Sequence, residues 1–323
     1  MRILNYGAGA VGLGVDSFLL KAGAAVDILA REKTVKALKA DGLYLTGLLG
    51  DYHAPAKNLR AFTSLDQVDG IQYDFILVST KSFDSQQSAQ DISRHPKLLK
   101  PTTKIILFQN GWGNAEIFAS YFDKNQIFNA RVITGFNRPR PNQVAVTVHA
   151  DSVRMGSLFQ TNISSIKEVS QAITLGGFPC EITEEIDKFL WSKMLYNCAL
   201  NPLGAILDVS YRTLGEYTHT REIMDEVIRE VYQIMMKADY QTHWPTPEEY
   251  LEKFYKEFLP ATAEHFSSTL QDLKAKKRTE IDALNGAVVR LADHHQLNVP
   301  VNRFLFRMIR FIEEKNLKSA VAA

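Results

Sequence analysis

Lys193, Asn197 and Asn201 stand at steps of four within Glu184–Asp208, a stretch that is otherwise mostly apolar. On a helix that step stacks the three side chains on one stripe. An ammonium and two carboxamides buried without partners would cost a few kcal/mol (roughly). The stripe must therefore face a polar partner, a water-filled cleft or a ligand. Satisfied polar groups at a domain seam are the plainer alternative. A second chemical signal opens the chain, where Gly7, Ala8, Gly9, Ala10, Val11 and Gly12 form a G-x-G-x-x-G turn. In such a turn the first glycine bends the backbone sharply, the second lets a pyrophosphate approach, and the third lets helix and strand pack closely. The helix N-terminus behind it offers free N–H groups and partial positive charge to the phosphates.

The elements around the turn are those that dinucleotide chemistry needs. Arg2–Tyr6 reads as a short apolar strand, residues 11–22 as a helix and residues 25–30 as a second strand. At the end of that strand stands Arg31 rather than the acid that would bond a ribose 2′-hydroxyl. A guanidinium there matches a 2′-phosphate, which favours NADP. Residues 73–79 and 104–108 are near-continuous apolar runs, as in parallel strands covered on both faces. They end in Thr80-Lys81 and in Gln109-Asn110-Gly111-Trp112-Gly113. Ligands of a doubly wound sheet bind beyond the carboxyl ends of its strands. Lys81 is thus placed for a cofactor phosphate or ribose, and Asn110 for the nicotinamide ribose or a substrate. Two more strands are expected at 128–136 and 144–156. Asn137-Arg138-Pro139-Arg140-Pro141-Asn142-Gln143 would join them as a turn carrying two cations.

From Glu184 the pattern is helical, with no second alternating series. The expectation is an α/β Rossmann-type N-terminal domain, residues 1–183, followed by an all-α C-terminal domain, residues 184–323. Residues 240–260, rich in proline, glutamate and aromatics, read as an inserted connection with a short helix. Thr279-Glu280-Ile281-Asp282 resembles a capping box, so a fresh helix could start there. A break at the preceding basic run, Lys276-Lys277-Arg278, would let Ser268 and Glu280 face one cleft. The basic run itself reads as a solvated face.

The composition narrows the class. Thirty-seven lysines and arginines against 36 acids leave a formal net charge of +1. That gives no general field for nucleic acid or an acidic membrane surface. Two cysteines, Cys180 and Cys198, make neither a disulfide framework nor a metal spacing, so a reducing, cytoplasmic setting is expected and no metal. The chain opens directly on a strand and holds no apolar run long enough for a bilayer span, so neither signal peptide nor membrane anchor is expected.

Taken together, Gly7–Gly12, Asn110-Gly111, Lys193/Asn197/Asn201 and the run Ser267-Ser268, Asp272, Thr279–Asp282, Asn285-Gly286 resemble the ketopantoate reductase (2-dehydropantoate 2-reductase) family in combination and order. The resemblance spans nearly the whole chain. It implies NADPH-dependent reduction of the 2-keto group of ketopantoate to pantoate, on the route to pantothenate and coenzyme A. It makes Lys193 the catalytic lysine and Glu280 its acidic partner. Asn110, Asn197, Asn201 and Ser268 become substrate-binding groups. The glycine turn, Arg31, Lys81, Asn110 and Glu280 become cofactor-binding groups, Arg31 and Lys81 on the NADP phosphate side. The partner is then a small keto acid held between the domains, and a homodimer is one option for assembly. The chain departs from the family at Ile133–Arg140, where small residues and threonines are usual, and at His149–Ser152, which lacks the usual glycine-rich turn. A reductase of another keto acid and a non-catalytic NADP sensor on the same scaffold are the alternatives.

Overall fold

The computed structural model describes residues 1–321. The chain packs as two compact units, one of Met1–Gln109 with Asn114–Ile186, the other of Asn110–Gly113 with the chain from Asp187 onward.

The first unit is built on a ten-stranded sheet. Its strands are β1 (Arg2–Tyr6), β2 (Ala25–Leu29), β3 (Leu43–Gly47), β4 (Tyr52–Ala54), β5 (Arg60–Phe62), β6 (Tyr73–Val78), β7 (Leu99–Leu107), β8 (Ile127–Arg140), β9 (Gln143–Gly156) and β10 (Cys180–Ile182). They lie in the order β4-β3-β9-β8-β7-β6-β1-β2-β5, with β10 beside β9. All pairings are parallel except β3–β4 and β8–β9. The order turns at β1, which has β2 on one side and β6 on the other, the switch point at which such sheets bind ligands. Helices α1 (Ala10–Lys21), α2 (Glu32–Asp41), α3 (Ser85–Ser93), α4 (Asn114–Ala119) and α5 (Lys167–Leu175) complete the unit. Successive strand residues enter different cores: Ile3 and Leu77 one, Leu4, Ile76 and Val78 the other, all fully buried. Burial on both faces is why these strands read as unbroken apolar runs.

The expected turn at 137–143 is mostly strand. β8 and β9 pair antiparallel as far as Arg140 and Gln143, leaving only Pro141-Asn142 at the bend. Pro139 fits because β7 pairs only with Ile127–Asn129 of β8, so the proline lies where that edge needs no N–H donor. β7 also starts five residues earlier than its apolar core suggests.

The second unit is helical: α6 (Ile186–Leu207), α7 (Tyr211–Glu216), α8 (Thr218–Lys237), α9 (Pro247–Lys253), α10 (Leu259–Ala261), α11 (Ser268–Lys274), α12 (Asn285–His295) and α13 (Pro300–Val321). Residues 240–260 are less an inserted connection than part of the core. Thr246 caps α9 by accepting from the Glu249 N–H, and a π-helical turn, Phe254–Phe258, continues it to α10. Tyr250 and Phe254 are fully buried, and the Tyr250 hydroxyl donates to the Ser192 carbonyl of α6. The capping box at Thr279 does not form. The Thr279 N–H is taken by Glu313 Oε1 of α13 at 2.6 Å, while Asp282 is engaged by Arg278 and Arg310. A 3-10 turn, Ile281–Ala283, follows, and α12 begins only at Asn285.

Candidate active site

The glycine turn follows β1, and its three glycines have three different reasons. Gly7 has φ +118°, and a Cβ there would lie 2.7 Å from the Thr80 nitrogen. Gly12 sits under a small polar lock. Asn5 Nδ2 donates to Asp16 Oδ2 at 2.8 Å, and Ser79 Oγ donates to Asn5 Oδ1 at 3.0 Å. A Cβ on Gly12 would lie 2.2 Å from the Gly7 carbonyl and 2.9 Å from that Asn5 nitrogen. Gly9 is unlike both. Its φ is −74°, open to any residue, and its virtual Cβ meets only the Ser79 carbonyl, at an ordinary 3.7 Å. Nothing in the protein requires glycine there, while a ligand backbone lying on the turn would. Gly9 is also the N-cap of α1 and offers no side-chain oxygen to that helix, leaving its first N–H groups for an anion. The turn therefore fits the pyrophosphate of a dinucleotide.

Two further candidates lie in this unit. Arg31 is exposed at the N-cap of α2, directly after β2. Lys81 is half-buried after β6 and precedes a 3-10 turn. Gln109 steadies that strand end: its Nε2 donates to Thr80 Oγ1 (3.2 Å), the Lys81 carbonyl (3.3 Å) and Ser85 Oγ (2.9 Å).

The second unit holds the polar stripe. α6 is unbroken from Ile186 to Leu207 although Pro202 lies inside it. Proline has no N–H for the carbonyl four residues back, which is Cys198. Asn285 Nδ2 supplies the missing donor at 3.1 Å and is itself bonded to Asn302. Asn285 thus satisfies the α6 carbonyl that Pro202 leaves without a donor. Asn201 Oδ1 accepts from the buried Tyr211 hydroxyl at 2.6 Å, and Ser267 Oγ donates to the Asn201 carbonyl. Asn197 is buried and makes no side-chain hydrogen bond to protein among the described residues. Ser268, first residue of α11, is half-buried; its neighbour Ser267 is the N-cap.

Asn110–Gly113 packs with the helices although it continues from β7. Gly111, at φ +84°, lies so close to Ala283 that a Cβ would sit 2.5 Å from its carbonyl oxygen, and the Trp112 N–H donates to that carbonyl at 2.9 Å. Trp112 packs tilted against Trp191 and edge-on to Tyr240, with ring centroids 4.6 and 4.8 Å away. These clamps hold Asn110 between two charged groups. Lys193 Nζ donates to its Oδ1 at 2.6 Å, and its Nδ2 donates to Glu280 Oε2 at 3.3 Å. Glu280 is buried and Lys193 half-buried.

Known proteins carry the same arrangement of chain. Residues 3–159 match the family model described as Ketopantoate reductase PanE/ApbA, and residues 185–313 its C-terminal counterpart. A 2-dehydropantoate 2-reductase of Aquifex aeolicus is 34% identical over 98% of this chain and 99% of its own. The chain belongs to the ketopantoate reductase family. It is thereby an enzyme of the NAD(P)-dependent oxidoreductases. A family ketopantoate reductase from Ralstonia eutropha has the same fold, with TM-score 0.85 at 27% identity, covering 98% of this chain and 100% of that one. D-mandelate dehydrogenase, solved with NADH and anilino(oxo)acetate, matches at TM-score 0.86 over 98% and 99% of the two chains; at 22% identity it shares the fold alone.

Family membership leaves some site features that motif reading missed. The Asn5–Asp16–Ser79 lock, the Trp112–Trp191–Tyr240 cluster and the Tyr211 bond to Asn201 carry no local pattern. Among the described residues there is no metal-binding cluster, and no helix long and apolar enough to cross a membrane. Both cysteines are free and buried; burial pushes the Cys180 thiol up to about 12.

Proposed function

We propose that the chain reduces the 2-keto group of ketopantoate to pantoate with NADPH, serving pantothenate and coenzyme A synthesis. The observation that carries this reading is the chain of contacts Lys193–Asn110–Glu280 within one compact unit. The nicotinamide, when bound, supplies the hydride. Lys193 Nζ donates to Asn110 Oδ1, which directs the ammonium. The ammonium suits the keto oxygen, where it would stabilise the developing charge and pass a proton to the alkoxide. Glu280 accepts from Asn110 and so orients the amide that orients Lys193; its carboxylate also suits a substrate hydroxyl. Asn197 and Ser268, whose side chains make no hydrogen bond to protein among the described residues, suit the remaining substrate oxygens. Asn201 has Nδ2 for the same purpose while Tyr211 holds its Oδ1.

Support for NADPH comes from Arg31 at the end of β2. Gly7–Gly12 serve the pyrophosphate, and Lys81 a phosphate or ribose. The test is NADPH oxidation with ketopantoate beside a panel of straight-chain, branched and aryl 2-keto acids. The highest kcat/KM with ketopantoate is the expected result. A higher value with another member assigns a different keto acid, and no turnover with any member leaves only the sensor alternative.

A further inference from the structure

The β8–β9 hairpin bends so that its tip brackets α2. Asn142 Nδ2 donates to the carbonyl of Gly42, the C-cap of α2, at 2.8 Å. At the other end of the same helix, Arg138 Nη2 donates to Thr34 Oγ1 at 2.5 Å and to the Pro141 carbonyl at 2.6 Å. Thr34 is buried in the first turn of α2, and its N–H is bonded to the carbonyl of Arg31, the N-cap. Arg138 is thus fixed beside Arg31 by a bond to a side chain that cannot move away.

The local charge is unbalanced. Neither Arg31 nor Arg138 has an ion-pair partner among the described residues. Among the described residues Arg138 makes two hydrogen bonds, both at Nη2, while its buried Nε and its Nη1 find no acceptor. Burial and the neighbouring Arg31 guanidinium both lower the Arg138 pKa, with no carboxylate acting against them. α2, ten residues long, lacks a side-chain cap because arginine at its N-cap has no acceptor to offer. A half-buried guanidinium, an exposed one beside it and an uncapped helix start leave a local excess of positive charge that an anion would join. A phosphomonoester dianion matches that set, because arginine's planar fork pairs with phosphate oxygens.

We infer that Arg138 is the second cation of the 2′-phosphate site and that, with Arg31, it sets the preference for NADPH over NADH. The inference rests on the NADPH reading above and extends it to a residue on a different element from the glycine turn and its following strands. Arg138 is a specificity residue in this role, since its contact is with the cofactor's adenosine end and not with reacting atoms.

The experiment is titration of the full chain with NADPH, NADH and 2′,5′-ADP by calorimetry, for the wild type, Arg31→Ala, Arg138→Ala and Arg138→Lys. Arg138→Ala should weaken NADPH and 2′,5′-ADP by about ten- to a hundred-fold, the span of one charge-assisted hydrogen bond, and leave NADH unchanged. Arg138→Lys should recover part of the loss. Equal weakening of all three ligands would make Arg138 a brace of the hairpin and overturn the inference. So would a wild type that prefers NADPH together with an Arg138→Ala that keeps that preference; the NADPH reading then stands on Arg31 alone. A wild type that binds NADPH and NADH alike sinks the NADPH reading, and the inference with it.

Discussion

Asn110 Oδ1 lies 2.6 Å from Lys193 Nζ, across 83 residues of sequence. The amide is short and neutral, so it can orient the ammonium without compensating its charge. Its Nδ2 reaches Glu280, a further 170 residues away from Asn110, so one side chain fixes both ionisable groups.

Lys193→Ala should leave folding and NADPH binding intact while kcat falls by roughly two to four orders of magnitude, the span of general acid–base help. Lys193→Arg should not restore it, because guanidinium gives up its proton too reluctantly. Stopped-flow turnover beside a cofactor titration separates the two effects. Near-normal kcat in the alanine variant would reduce Lys193 to a structural cation.

Gly9→Ala and Gly12→Ala should fail differently. Gly12→Ala forces a methyl to 2.2 Å from the Gly7 carbonyl and should unfold or badly destabilise the first unit. Gly9→Ala meets only an ordinary contact and should fold with normal thermal stability, yet lose affinity for NADPH and NADH together. Melting curves and cofactor titrations of both variants check this. A destabilised Gly9→Ala, or one that binds normally, contradicts the assignment of the turn.

The start of the chain was legible because its signals are local. A short apolar strand, a glycine turn and a helix follow one another within 21 residues, and β1 and α1 lie close to where the pattern places them. The hairpin was not, because Pro139, Pro141 and Asn142 carry the residue types of a turn, while the pairing of β8 with β9 is decided by partners in the second strand. Tyr240–Pro260 misled for the same reason: its prolines and glutamates look solvated, and only the packing of Tyr250 and Phe254 shows a core. Asn110 could be named from sequence, but its meeting with Lys193 depends on Gly111 fitting against Ala283, which no local pattern announces.

Asn201 has a structural duty beside the binding role proposed for it. Asn201→Ala would leave the buried Tyr211 hydroxyl without its acceptor and should cost about 1–3 kcal/mol of stability, as well as raising KM for the keto acid. Tyr211→Phe should lose stability without the same rise in KM. The double variant should lose less stability than the two single losses added, since both break one bond. Additive losses in denaturant titrations would mean that the bond contributes nothing.

Asp16 gives the stability a pH dependence with a definite sign. Complete burial raises its carboxyl pKa well above the usual range, against a smaller opposing effect of the hydrogen bond from Asn5. The folded chain therefore keeps this proton in a range where the unfolded chain, with its aspartate near 4 (about), has released it. The unfolded state binds fewer protons there, so this group's contribution is fully present below about pH 4 and is lost as pH rises toward the folded pKa. The slope can reach about 1.4 kcal/mol per pH unit. Asp16→Asn keeps the shape and an oxygen for Asn5 Nδ2, and it has no proton to release. The variant should match the wild type near pH 4 and exceed its melting temperature at pH 8. Melting curves of the two proteins across that range decide it: if they run parallel, Asp16 does not carry a retained proton, and the lock beneath the glycine turn holds a charged carboxylate instead.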